Sequence, residues 1–66
     1  MKFTVIYNNE TFNKESDNDL TIKDVLDEMN LSAQTIIAKK NGEVAIEETS
    51  VEDGDEIQFV QIIFGG

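Results

Sequence analysis

The sequence predicts an α+β domain, a mixed sheet of about five strands in ββαβββ order with one helix packed on one of its faces. Three observations carry this. Apolar residues alternate with period two from Lys2 to Tyr7, the mark of a strand with one buried side. Ile22, Val25, Leu26 and Met29 fall at i, i+3, i+4 and i+7, a single helical stripe. The segment Ile57 to Phe64 is the most apolar of the chain, and strands of that kind sit centrally with neighbours on both edges. One helix laid on one face of a sheet buries all three patterns at once. Sixty-six residues make one domain with a single core, taken here as residues 1–64 followed by a Gly65-Gly66 tail.

In the first strand Phe3, Val5 and Tyr7 face one side and Lys2, Thr4 and Ile6 the other. Asn8-Asn9 tolerates positive φ and turns the chain into a second strand, Glu10 to Lys14, with Phe12 inward. Glu15 to Asp19 is a polar loop. Thr21 with Asp24 three residues on approximates a capping box. Asp27 and Glu28 lie off the helical stripe, towards water. Asn30 suits the left-handed residue that closes a helix, with Leu31 folding back on the core. A third strand runs from Thr35 to Lys40, and Asn41-Gly42 is a strong hairpin signal leading to a fourth, Glu43 to Ile46. Glu47 to Glu52 is polar with Val51 as its buried anchor, and Asp53-Gly54-Asp55 turns into the last strand, Glu56 to Phe64. That strand is placed in mid-sheet, parallel to the first, with Ile57 and Phe59 inward and Gln58 and Val60 outward.

The composition removes whole classes of function. Cysteine and histidine are both absent, which takes away disulfides, zinc-finger ligation, thiolate nucleophiles and imidazole acid–base catalysis. A net charge of -9 from 14 acidic and 5 basic residues repels phosphate backbones and argues against nucleic acid. The same charge serves solubility, or steers the chain towards a basic patch on a protein partner. No apolar stretch approaches the roughly 20 residues of a membrane span, and no signal-peptide pattern opens the chain; a cytoplasmic monomer is expected. The five lysines (Lys2, Lys14, Lys23, Lys39, Lys40) are ordinary surface charges. The carboxylates are spread over turns and exposed positions, a poor basis for paired-acid catalysis. Asp53 and Asp55 lack the spaced ligands and distal Glu of a calcium loop, so no metal site is expected.

Gly65 and Gly66 follow the last strand directly. Two residues without Cβ, ending in a carboxylate, form the thinnest tail a polypeptide offers, one that fits the active site of another protein as a reactant. The element order, the sequence Asp53-Gly54-Asp55-Glu56-Ile57 and the ending Gln61-Ile62-Ile63-Phe64-Gly65-Gly66 resemble the ubiquitin-like β-grasp sulfur carriers of the thiamine and molybdopterin pathways. The same features are similar to the archaeal ubiquitin-like small modifier proteins. Length and element order carry the resemblance over the whole chain; its specific part is the stretch from Asp53 onward. Phe64 departs from it, standing where the thiamine carriers often have a smaller residue.

The resemblance implies a β-grasp fold and a carrier rather than an enzyme. An E1-like adenylating enzyme would use ATP and magnesium to activate the Gly66 carboxylate; no cofactor would be bound by the chain itself. The product would be a thiocarboxylate that delivers sulfur to a synthase or to tRNA thiolation, or, in the alternative, an isopeptide bond to lysines of target proteins. Gly66 is then the reacting end and Gly65 its slim penultimate link. Phe64, Ile62, Val60, Gln58, Ile37 and Ile6, on or near the sheet face without the helix, are the candidate partner-binding residues.

Overall fold

The computed structural model describes residues 1–62. Its elements are β1 (Lys2–Tyr7), β2 (Glu10–Glu15), β3 (Leu20–Thr21), α1 (Ile22–Glu28), β4 (Ile36–Lys40), β5 (Glu43–Ala45), β6 (Ser50–Val51) and β7 (Glu56–Gln61). Five strands form one mixed sheet in the order β2-β1-β7-β4-β5. The last strand is central, parallel to β1 and antiparallel to β4, as its apolar run requires. This is the α+β, β-grasp architecture expected from the sequence.

Local chemistry sets each junction. Asn8 and Asn9 have φ of 54° and 64°, and Asn41 and Gly42 have φ of 52° and 88°, so both hairpins turn on two left-handed residues that match the twist of the strands. Thr21 and Asp24 form a reciprocal capping box: the Asp24 amide donates to Thr21 Oγ1 at 3.3 Å and the Thr21 amide to Asp24 Oδ2 at 2.9 Å. At the other end Asn30 is left-handed, with φ of 59°. The Leu31 amide reaches back to the Leu26 carbonyl at 2.9 Å and the Asn30 amide to that of Asp27 at 3.1 Å, the double closure of a Schellman motif. Leu31 packs against the core.

Phe3 and Val5 of β1, Ile36 and Ala38 of β4, and Ile57 and Phe59 of β7 meet Ile22, Val25 and Leu26 of the helix, with Val51 closing one side. Ile22, Ile57, Val5 and Val25 are the most completely buried. Among the described residues the sheet's second face carries no helix.

The structure departs from expectation at the edges of elements. Leu20–Thr21, at the expected helix cap, and Ser50–Val51, within the expected polar segment, pair into a separate two-stranded sheet; two residues are too few for alternation to register. They bring the 47–51 segment to the helix start, where the Thr49 and Glu47 carbonyls accept the Ile22 and Lys23 amides, each at 2.9 Å. β4 begins one residue later than expected, β5 ends at Ala45 rather than Ile46, and β2 continues to Glu15. β7 ends at Gln61, short of the expected Phe64; Ile62 adds one amide bond to the Thr35 carbonyl at 2.8 Å. Ile63 and Phe64, and with them the expected domain boundary before Gly65, lie outside the described residues.

Candidate functional site

Strand alternation divides β7 between two faces. Ile57 and Phe59 are buried under the helix, while Gln58 and Val60 are exposed on the other side. The register then fixes their neighbours. Ile6 lies opposite Gln58 and Gln58 opposite Lys39, which in turn lies opposite Val44. Ile37 lies opposite Val60, and each of these two is 39% exposed. Four of the sequence-derived candidates, Ile6, Ile37, Gln58 and Val60, are thus gathered on one open face. Ile62 follows Val60 by two residues and is half-buried beside Thr35. Phe64, Gly65 and Gly66 lie outside the described residues.

Two apolar side chains were not among those candidates. Val44 is 72% and Ile46 69% exposed, the highest values among the large hydrophobic residues described. The signal for Val44 was present: a two-residue Asn41-Gly42 turn sets Lys40 opposite Glu43, and the next pair is Lys39 and Val44. Ile46 gave no such signal, because it falls after the strand has left the sheet.

The Asp53-Gly54-Asp55 turn joins β7 to its neighbours, with a role for each residue. Asp53 Oδ1 accepts the Lys2 amide at 2.8 Å. Gly54 has φ of +83°, where a Cβ would be strained, and its amide donates to the Lys2 carbonyl at 2.7 Å. Asp55 is 6% exposed. Its carboxylate accepts the Glu52 amide at 2.7 Å and Asn41 Nδ2 at 3.0 Å, and lies 3.3 Å from Lys40 Nζ. Burial pushes this carboxyl up, but the bonds from Glu52, Asn41 and Lys40 and the charge of Lys40 outweigh it and hold the group below the ordinary carboxylate range. Asn41 completes the splice, its amide donating to the Glu56 carbonyl at 2.8 Å and its Oδ1 accepting the Glu56 amide at 3.0 Å. The turn was legible in sequence; the buried ion pair was not, since Lys40 and Asp55 meet only through the tertiary fold.

Among the described residues no group of three or more His, Cys, Asp or Glu side chains is placed to hold a metal ion. Both Asp55 oxygens face nitrogen donors, the Lys40 ammonium among them. No helix among the described residues is long and apolar enough to cross a membrane.

The fold is similar to that of SAMP1 from Haloferax volcanii, with a TM-score of 0.77 and 20% identity over 100% of both chains. It is also similar to the thiamine biosynthesis protein ThiS from Geobacter metallireducens, with a TM-score of 0.67 and 24% identity over 96% of this chain and 99% of that one. A ubiquitin-like protein from the hyperthermophilic archaeon Caldiarchaeum subterraneum gives a TM-score of 0.64 and 19% identity over 98% and 100%. At these identities the likeness is one of fold. The sequence itself goes further, because the profile of the ThiS family matches residues 5–66, from within β1 through Gly65-Gly66. The chain belongs to the ThiS family.

Proposed function

We propose that this chain is a ubiquitin-like sulfur carrier, a co-substrate of an E1-like adenylating enzyme rather than a catalyst. The observation that carries the reading is the ThiS-family match over residues 5–66, which includes the Gly-Gly ending. An α-carboxylate with a reference pKa of about 3.5 is ionised at neutral pH. The Gly66 oxygen attacks the α-phosphorus of ATP and the bond to pyrophosphate breaks, leaving an acyl adenylate. Magnesium held by the activating enzyme offsets the phosphate charge. Hydrosulfide-level sulfur from the activating system attacks the acyl carbon and AMP leaves, and the resulting thiocarboxylate supplies sulfur for thiamine, molybdopterin or tRNA thiolation. Gly65 keeps the peptide narrow beside the reacting carbon.

Docking falls to the open face. Ile6, Ile37, Val60 and Ile62, with Gln58 among them, offer an apolar surface of the kind that partners cover; Phe64, outside the described residues, is assigned to docking by its place in the sequence. The acidic chain is drawn to basic surroundings on the partner. These assignments place the work in the cytoplasm, on a monomer that engages its partners in turn.

A second reading, a protein modifier joined through Gly66 to target lysines, is supported by full-length similarity to a ubiquitin-like protein. Both readings share the adenylation step. Incubation with an E1-like enzyme, ATP and magnesium is expected to give ATP–pyrophosphate exchange that is lost on deleting Gly66, with the thermal midpoint unchanged; exchange that persists would overturn both. Intact-mass analysis of protein from its own cell separates them. A carboxyl oxygen replaced by sulfur supports the carrier, and recovery only as lysine conjugates supports the modifier.

A further inference from the structure

β5 ends opposite Ala38, so among the described residues the first part of β4 has no strand beside it on that edge. The chain turns away instead. The Ile46 carbonyl accepts the Thr49 amide at 3.0 Å and the Glu47 carbonyl accepts the Lys23 amide at 2.9 Å, carrying the segment to the helix. A notch of about 820 Å³ is left between α1, the 31–34 loop, the Ile36 edge and residues 46–48.

The direction of the Ile36 backbone follows from alternation. Thr35 bonds to Ile62 across the β7 side, and Asn41 bonds to Glu56, so the odd-numbered residues of this strand turn their amides and carbonyls to β7. The even-numbered ones face the other way, where Lys40 and Ala38 meet Glu43 and Ala45. Ile36 continues that series with nothing opposite it among the described residues. Its side chain is buried in the core, while its main-chain groups on this edge face the notch that Ile36 helps to line, where an added strand would pair with them.

Three properties define what fits. The Ile36 edge offers main-chain bonds to an added strand. Leu26 and Leu31 line the interior and Val44 and Ile46 stand at the lip, which favours apolar side chains. Asp27, Glu47 and Glu48 line the same notch, and Lys23, its one cation among the described residues, is paired with Asp27 at 3.3 Å. We propose that the notch takes an extended segment of a partner protein, apolar in the middle with Lys or Arg on its flanks, added as a strand along Ile36. A second copy of this chain, with its own net charge of -9, is disfavoured by repulsion. This surface is separate from the Gly66 chemistry and stands without it.

The test uses the full-length protein and a blocked synthetic peptide, Lys-Val-Ile-Val-Lys, with Glu-Val-Ile-Val-Glu as control. In ¹⁵N-resolved NMR titrations the basic peptide is expected to bind with a dissociation constant of about 1 mM or tighter. Shifts should centre on Gln34, Ile36, Val44 and Ile46, and the Ile36 amide should exchange at least about tenfold more slowly with solvent once the peptide is bound. The acidic peptide should not bind, and Ile46→Glu, an exposed change, should weaken the basic one about tenfold. Four results would each overturn the proposal: no binding of the basic peptide, shifts confined to Ile6 and Val60 on the open face, the same shifts appearing with protein concentration alone, or the same amides moving when residues 63–66 are removed without peptide. The third would assign the notch to a second copy, and the fourth to the chain's own tail.

Discussion

Replacing Asp55 tests the splice at the start of β7. Asp55→Ala removes the acceptor of the Glu52 amide at 2.7 Å and of Asn41 Nδ2 at 3.0 Å, and the partner of Lys40 at 3.3 Å. Hydrogen bonds to a charged group are worth about 1.5–3 kcal/mol each, and a buried donor left alone costs about 1–3. Lys40 loses less than that, because its side chain is 21% exposed and keeps the Ser50 carbonyl at 3.0 Å. The Glu52 and Asn41 bonds dominate, which sets the loss at about 3 kcal/mol. A domain of this size holds about 3–10 kcal/mol in all, so a large share of the stability goes, and the midpoint falls by about 12–24 °C. Asp55→Asn keeps an acceptor for the Glu52 amide but loses the charge and sets an NH2 against Asn41 Nδ2, for about 2 kcal/mol.

The pH dependence gives an independent check. The folded Asp55 pKa is depressed, so the stability it confers is complete above the unfolded value of about 3.9 and is lost as pH falls through the folded pKa. Protonation makes the native group resemble asparagine, and the gap between wild type and Asp55→Asn narrows below about pH 4. Urea unfolding followed by circular dichroism at neutral and acid pH measures both effects. An Asp55→Ala loss under about 0.5 kcal/mol, or a gap to Asp55→Asn that does not change with pH, would refute this account of the network.

Thr21→Ala removes the helix cap and leaves the Asp24 amide without its acceptor; a loss of about 1 kcal/mol is expected in the same unfolding assay. Gly54→Ala meets no atom within 4 Å, so its cost is conformational alone, about 1 kcal/mol, and a crystal structure should show the turn unmoved. Leu26→Ala opens a hole between the helix and the sheet and should cost about 2–5 kcal/mol. Val60→Lys, on the open face, is expected to leave the circular dichroism spectrum unchanged while weakening association with the activating enzyme at least tenfold by titration calorimetry. That association should also slow as salt rises, since screening shortens the reach of the -9 charge.

What was legible in the sequence was local. The alternation of Phe3, Val5 and Tyr7, the Ile22–Met29 stripe, the Thr21–Asp24 box and the Asn41-Gly42 turn each depend on residues a few positions apart, and each appears in the structure. The mid-sheet place of β7 followed from its composition, because only a strand covered on both edges rewards so apolar a run. The two-residue strands β3 and β6 did not show, since Leu20 and Val51 pair across 31 positions with no period to announce them. Asp55 was seen as a turn residue, yet the buried carboxylate there is held by the Glu52 amide together with Asn41 and Lys40, both brought over by the β4–β7 register. The open face was legible in Ile6, Ile37, Gln58 and Val60, while Val44 required carrying the hairpin register one pair further.

In the sequence the Asp53-Gly54-Asp55 motif precedes β7 and the Gly-Gly ending follows it, and this makes their roles separable. β7 is bonded to β1 on one side and to β4 on the other, each interior amide facing one of the two, so its release requires a ladder at the centre of the sheet to part, and its hydrogen exchange follows global unfolding. Ile62, one residue past the strand, is held by a single bond to the Thr35 carbonyl and opens locally. A loss of about 3 kcal/mol in Asp55→Ala should therefore speed exchange at Phe59 by about 100-fold and leave Ile62 nearly unchanged. The splice would then set how firmly the platform is held, without setting how readily its last bond opens beside the tail. Equal acceleration at both amides would mean that Ile62 belongs to the globally folded unit. The splice would then control the tail's point of departure as well.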